Sequence, residues 1–208
     1  MINLLVTIVF LLLNTRIIQA SELDLTNVVS ECLTRDWMSV TCEFEKNQKY
    51  IPGAISRNVG QPLYMLPRII TQLAEDMKKM NGPRTTCSNS SESKMNLLSL
   101  TSMIQHAVKT RKLSSCKAAC MATCLSSTLI KYDISNSSMQ TPCRILEDQK
   151  GGCAEFATFS VYFARQLGLN ADVAYDGNNP HNFMKIEIEK KEYYMEPQRT
   201  RCQFFEKY

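Results

Sequence analysis

Residues 150–183 read KGGCAEFATFSVYFARQLGLNADVAYDGNNPHNF. Two glycines lead into Cys153, and an apolar run follows. Phe156, Phe159, Phe163 and Leu167 recur at intervals of three and four residues, which is the stripe of a helix with one buried face. Gly168 fits the left-handed position just past such a helix, and Leu169 fits the hydrophobic residue after it. ADVAY (171–175) then reads as a strand and DGNNP as a turn. The segment NFMKIEIE-KK-EYYME alternates on both sides of a hairpin turn expected at Lys190-Lys191. Met184, Ile186, Ile188, Tyr193 and Met195 share the face expected to line the core.

Cys153 is the residue in this stretch with chemistry to explain. A cysteine attacks as its thiolate, and a free thiol ionises only near a pKa of about 8.5. The unpaired N–H groups at a helix start favour the anion. Cys153 stands where the helix should begin, three and seven residues before Phe156 and Ser160 on the inward side. Gly151 and Gly152 leave room for a substrate, or for the chain itself, to come close. The partner must be a base. His181 falls 28 residues later, at the mouth of the next strand. An imidazole there could take the thiol proton and form a thiolate–imidazolium pair. The second histidine, His106, lies about 200° from Ile104 on its own helix and is expected to face solvent. A third group should hold the far nitrogen of the His181 ring. By parity His181, Phe183, Tyr194 and Glu196 can share a face. A turn at Lys190-Lys191 would instead pair Glu196 with Lys185, roughly 13 Å of strand from His181. Contact therefore requires a longer loop or a shifted register.

The pieces GGCAEFA, ARQLGLNADVAY, HNFMKIEI and YYMEPQ resemble, in order and spacing, the transglutaminase-like superfamily, which shares its core with papain-like cysteine proteases. The likeness covers roughly residues 148–200. Two pieces depart from the family pattern. His181-Asn182-Phe183 stands for the usual His-Ala-Trp, and Glu196 before Pro197 stands for the usual aspartate. The resemblance implies an α+β fold with a papain-like core, a Cys-bearing helix packed on an antiparallel sheet. It also implies catalytic roles for Cys153, His181 and Glu196. No residue clearly matches the family's oxyanion donor; Gln149 and the backbone N–H of Cys153 are the candidates. The implied chemistry is acyl transfer through a thioester on glutamine side chains or peptide-like bonds. Water as acceptor makes a hydrolase and an amine makes a cross-linker. No cofactor is implied, and the partner is a protein or peptide substrate. A reading of a different class is a disulfide-stapled binding module that keeps the fold without turnover. Thiol–disulfide exchange lacks its usual CxxC.

The rest of the 208-residue chain frames this core. LLVTIVFLLL (4–13) is apolar, too short to span a bilayer comfortably, and IIQA ends on a small residue before Ser21. It reads as a secretory signal cleaved near Ala20, with an uncleaved anchor as the alternative, so the product is expected to be secreted or periplasmic. Without residues 1–20 the net charge is +3, with basic residues scattered, which does not suggest a nucleic-acid partner. All nine cysteines follow residue 20. Cys32, Cys42, Cys87, Cys116, Cys120, Cys124, Cys143 and Cys202 read as a disulfide framework, leaving Cys153 as the odd thiol. Cys153 as one more half-disulfide is the plainer alternative, disfavoured by the odd count and its helix-start context.

Helices are expected from Pro67 (Ile70, Leu73, Met77, Met80), along Leu97, Leu100, Ile104 and Val108, and over 115–132. NGPRTTCSNSSES (81–93) reads as a loop. Cys116, Cys120 and Cys124 fall four apart along one side of the third helix. They read as staples rather than a metal site, because no second cluster at ligand spacing accompanies them. The expected organisation is a signal peptide (1–20), a helical cysteine-rich region (21–145) and a catalytic core (146–208), the last two forming one or two units.

Overall fold

The computed structural model of the chain describes residues 24–36, 91–136, 140–176, 181–199 and 201–206. The segments 1–20 and 67–80 discussed above, and Cys42 and Cys87, lie outside them.

The described residues form an α+β fold. Five helices are present among them: α1 (Leu25–Thr34), α2 (Ser91–Thr110), α3 (Ser115–Leu129), α4 (Pro142–Asp148) and α5 (Cys153–Gln166). A four-stranded antiparallel sheet follows, β3 (Asn170–Asp176), β4 (His181–Ile188), β5 (Lys191–Met195) and β6 (Phe205–Glu206), in that spatial order. Two short strands, β1 (Lys131–Tyr132) and β2 (Lys150–Gly151), pair in parallel.

Helix α5 is the centre of the packing. One side lies on β3 and β4, and the other meets α3. Phe156, Phe159 and Phe163 are all buried, with Phe159 and Phe163 in edge contact at 4.8 Å. The helix ends as its sequence implies. Gly168 has φ +80°, its N–H donates to the Arg165 carbonyl at 3.0 Å, and the Leu169 N–H donates to Ala164 at 3.0 Å. These two bonds are the Schellman pattern that satisfies the last carbonyls. Arg165 then ties the helix to β3, donating to the Ala171 carbonyl at 2.7 Å and pairing with Asp172.

Helix α3 is buried along most of its length, and its alanines, serine and cysteines let neighbours come close. Ser126 and Ser160 bridge α3 to α5 through hydroxyls 2.5 Å apart. Disulfides join Cys32 of α1 to Cys124, and Cys202, beyond β5, to Cys120. Cys116 and Cys143 are disulfide-bonded as well. One hydrophobic cluster runs from Val29 through α2, α3 and α5 to Phe204.

Several elements differ from expectation. Residues 91–93 belong to α2 rather than to a loop. The buried stripe of α2 runs Leu97, Leu100, Ile104 and Ala107, with Val108 only half-buried. Helix α3 stops at Leu129 instead of Tyr132, because Ile130 turns extended and Lys131–Tyr132 pairs with β2. Helix α4 was not anticipated, although Thr141 caps it, its hydroxyl accepting from the Arg144 N–H at 3.4 Å, and Pro142 opens it. The β4–β5 turn is Glu189-Lys190, one residue earlier than Lys190-Lys191. Both turn residues have positive φ, 52° and 67°, as a two-residue hairpin loop with the strands' own twist demands.

Candidate active site

Cys153 is the first residue of α5, where backbone N–H groups and the helix dipole favour negative charge. Gly152 is its N-cap. A glycine has no side chain to cap with, and Glu155 supplies the missing half. Its Oε2 accepts the Gly152 N–H at 2.8 Å, while Oε1 accepts the Gln140 N–H at 3.4 Å. Glu155 is completely buried. The preceding glycine makes room for it: a Cβ on Gly151 would overlap the Glu155 Cβ and Cγ. The close approach that the double glycine allows is thus used by the chain itself.

His181 is the first residue of β4, the strand that packs beside α5. Its Nε2 lies 3.0 and 2.9 Å from the two carboxylate oxygens of Glu196, and the two residues are only 7% and 5% exposed. The turn at Glu189-Lys190 explains how they meet. It pairs Met184 with Met195 and Lys185 with Tyr194, so Glu196 follows opposite Phe183 rather than Lys185. The side chains of Phe183 and Tyr194 meet edge-on at 5.0 Å, and the Phe183 ring lies 6.2 Å from the His181 ring. His106 is on the exposed side of α2, bonded to Thr110 at 3.3 Å.

With Nε2 committed to Glu196, the imidazole lies close enough to Cys153 for each group to shift the other's ionisation. Burial pushes the Cys153 thiol up, but the His181 hydrogen bond and charge, with bonds from the Asn182 backbone and side chain, hold it below its ordinary value. Burial acts on His181 in the opposite sense, lowering it. Hydrogen bonds to Cys153 and Glu196, and their charges, prevail and push the imidazole up to about 10. The arrangement therefore favours a thiolate beside an imidazolium. Cys153 is partly exposed, and it is the only free cysteine among the described residues.

Gln149, the side-chain candidate for oxyanion donor in the sequence, lies just before β2. It caps the end of α4 in a left-handed conformation, its N–H donating to Ile145 and its carbonyl accepting from Lys131, both at 2.8 Å. Its side chain is exposed. Asn182, which the sequence marks only as a departure from the family pattern, has its Nδ2 3.7 Å from Cys153 Sγ. The signal for it was an amide on the face of β4 otherwise held by Met184, Ile186 and Ile188. Glu155 was also missed, although a glutamate three residues past a helix cap is a recognisable N-terminal pattern. Among the described residues, no group of three or more His, Cys, Asp or Glu is arranged to hold a metal, and no helix is long and apolar enough to cross a membrane.

No protein-family model and no curated protein matches the chain. A solved structure described as "Crystal structure of a TGase" aligns with it at a TM-score of 0.39 and 18% identity, covering 61% of this chain and 38% of that one.

Proposed function

We propose that this chain is an exported cysteine enzyme of the transglutaminase-like type. Cys153 is its nucleophile, His181 its acid–base and Glu196 the group that holds the imidazole. The observation that carries the reading is the His181 ring held by both oxygens of Glu196 beside the thiol of Cys153, whose ionisation it favours. In the first step the Cys153 thiolate adds to the carbonyl carbon of a glutamine side chain or other amide. The carbonyl π pair moves onto oxygen. When it returns, the C–N bond breaks, and the leaving nitrogen takes the proton that His181 received from the thiol. The thioester then yields its acyl group to an amine or to water. Neutral His181 accepts the incoming nucleophile's proton, and the sulfur leaves as thiolate.

The substrate is a protein or peptide, and no cofactor enters these steps. The disulfides fit an oxidising compartment, in line with residues 1–20 acting as a secretory signal. The test is incubation with a glutamine-containing peptide and a labelled primary amine. Incorporation of label identifies a transferase, and ammonia release without incorporation identifies a hydrolase. Cys153→Ala should abolish both. If the unsubstituted protein yields neither product and Cys153 resists iodoacetamide, the binding-module reading replaces this one.

A further inference from the structure

Asn182 follows His181 directly, but its side chain turns to the opposite face of β4, toward the start of α5. It is 7% exposed, on a face whose next three members are Met184, Ile186 and Ile188. Its Nδ2 faces Cys153 Sγ at 3.7 Å. Its Oδ1 is buried and accepts no hydrogen bond among the described residues. A buried acceptor left unpaired costs about 1–3 kcal/mol. An apolar residue of similar size would avoid that cost, so the fold alone gives no reason for an amide here. The reacting sulfur does.

Resting on the acyl-transfer reading above, we infer that the Asn182 side chain is the oxyanion donor of this site, acting with the backbone N–H of Cys153. Addition of the thiolate forms the S–C bond and drives the carbonyl π pair onto an oxygen two bonds from the sulfur. An N–H2 group already within hydrogen-bonding range of that sulfur has a second hydrogen with which to meet this oxygen. Gln149 cannot readily take the role, since its backbone is fixed in the α4 cap and its side chain points to solvent. The amide is also held in place before the charge develops, packed on the buried face of a central strand, which is the condition under which such a donor is most effective.

Two reactions of Cys153 separate this role from simple support of the thiolate. Alkylation by iodoacetamide proceeds by displacement at carbon and develops no oxyanion. Acylation by p-nitrophenyl acetate passes through one, and its phenolate leaves without needing a proton from His181. The full chain, its disulfides formed, is compared with Asn182→Ala and with the near-isosteric Asn182→Asp. Acylation should slow by about 100-fold or more in both variants, mainly in kcat. Alkylation, measured above the thiolate transition of each variant, should slow far less. Equal losses in the two reactions would make Asn182 a support for the thiolate or the fold alone and would overturn the inference, as would no loss of acylation. Alkylation without any acylation in the unsubstituted chain would overturn the acyl-transfer reading too. Should Asn182→Ala fail to fold, the ratio in Asn182→Asp decides.

Discussion

Glu155 closes over Gly152, its carboxylate oxygen 2.8 Å from the backbone nitrogen just before Cys153. The contact fixes how the chain enters α5 and so where the sulfur stands. Glu155→Ala would strip acceptors from the Gly152 and Gln140 N–H groups, at about 1–3 kcal/mol for a buried group left unpaired. Gly151→Ala would push a methyl into the stem of Glu155, which has no flexible end to swing aside, at about 1–3 kcal/mol. Urea unfolding should show both losses. Glu155→Gln keeps the shape and should lose less.

The coupled titration of Cys153 and His181 sets a pH window. The sulfur ionises below its ordinary value, and His181 keeps its proton until about pH 10. The midpoint of the rise in iodoacetamide reactivity should lie on the acid side of that of an ordinary thiol. Acyl transfer from amides should fall as pH passes about 10, where the leaving nitrogen loses its acid. His181→Ala should move the alkylation midpoint upward, since burial then acts on the thiol without its chief opponent. The raised His181 value also carries a stability term. That term is complete below pH 6.5 and is lost progressively as pH rises to about 10.

Glu196 offers a sharper test than simple deletion. Aspartate is the residue usual at this place in the family the sequence resembles, yet Glu196→Asp should impair this site. Both oxygens now reach Nε2, at 3.0 and 2.9 Å, and shortening the side chain by one methylene withdraws them. Glu196→Gln keeps the length and removes the charge, so the limb near pH 10 should shift to lower pH. Acylation in either variant should slow by about 100-fold or more, since the Asp variant releases the ring from its working orientation and the Gln variant removes the charge that stabilises the imidazolium. An Asp variant as active as the parent would show that strand β5 can move to follow it.

How much of this was legible in the sequence depended on whether the information was local. Helix α5 was readable from its phenylalanine stripe, and Gly168 marked its end. The hairpin was readable by face but not by register. Moving the turn by one residue shifts each cross-strand partner by two, so Met184, Ile186, Tyr193 and Met195 stay together while Glu196 slides from Lys185 to Phe183. No Asn-Gly pair marked the turn, because Glu189 and Lys190 adopt positive φ without the residues that favour it. Asn182 was harder still. Its relation to Cys153 exists only once β4 lies beside α5, and no spacing within either element announces it.

Disulfides close long loops here, Cys32 and Cys124 being 92 positions apart in sequence and Cys120 and Cys202 82. Each is expected to contribute about 2–4 kcal/mol, mainly by restricting the unfolded chain. Both anchor on α3, against which α5 packs. Reduction should therefore lower the melting temperature and slow Cys153 alkylation together, in calorimetry and labelling with and without reductant. Equal melting temperatures would mean that the apolar cluster around α3 suffices alone.

The Glu189-Lys190 turn holds β4 and β5 in the register that brings Glu196 to His181, and it does so with two side chains in the left-handed region. A non-glycine residue there costs about 1–2 kcal/mol. Replacing Lys190 by glycine removes that strain at one position but frees the unfolded chain, which offsets about 0.4–1 kcal/mol. Asparagine at 189 tolerates the conformation better than glutamate and adds little freedom. The double variant Glu189→Asn/Lys190→Gly should thus gain up to about 1 kcal/mol in urea unfolding. Its Cys153 alkylation rate should not change, because the register is the same. If instead stability falls and alkylation slows, the hairpin has been drawn to another pairing, and the register seen here is held by the Glu189 and Lys190 side chains rather than by the turn's backbone.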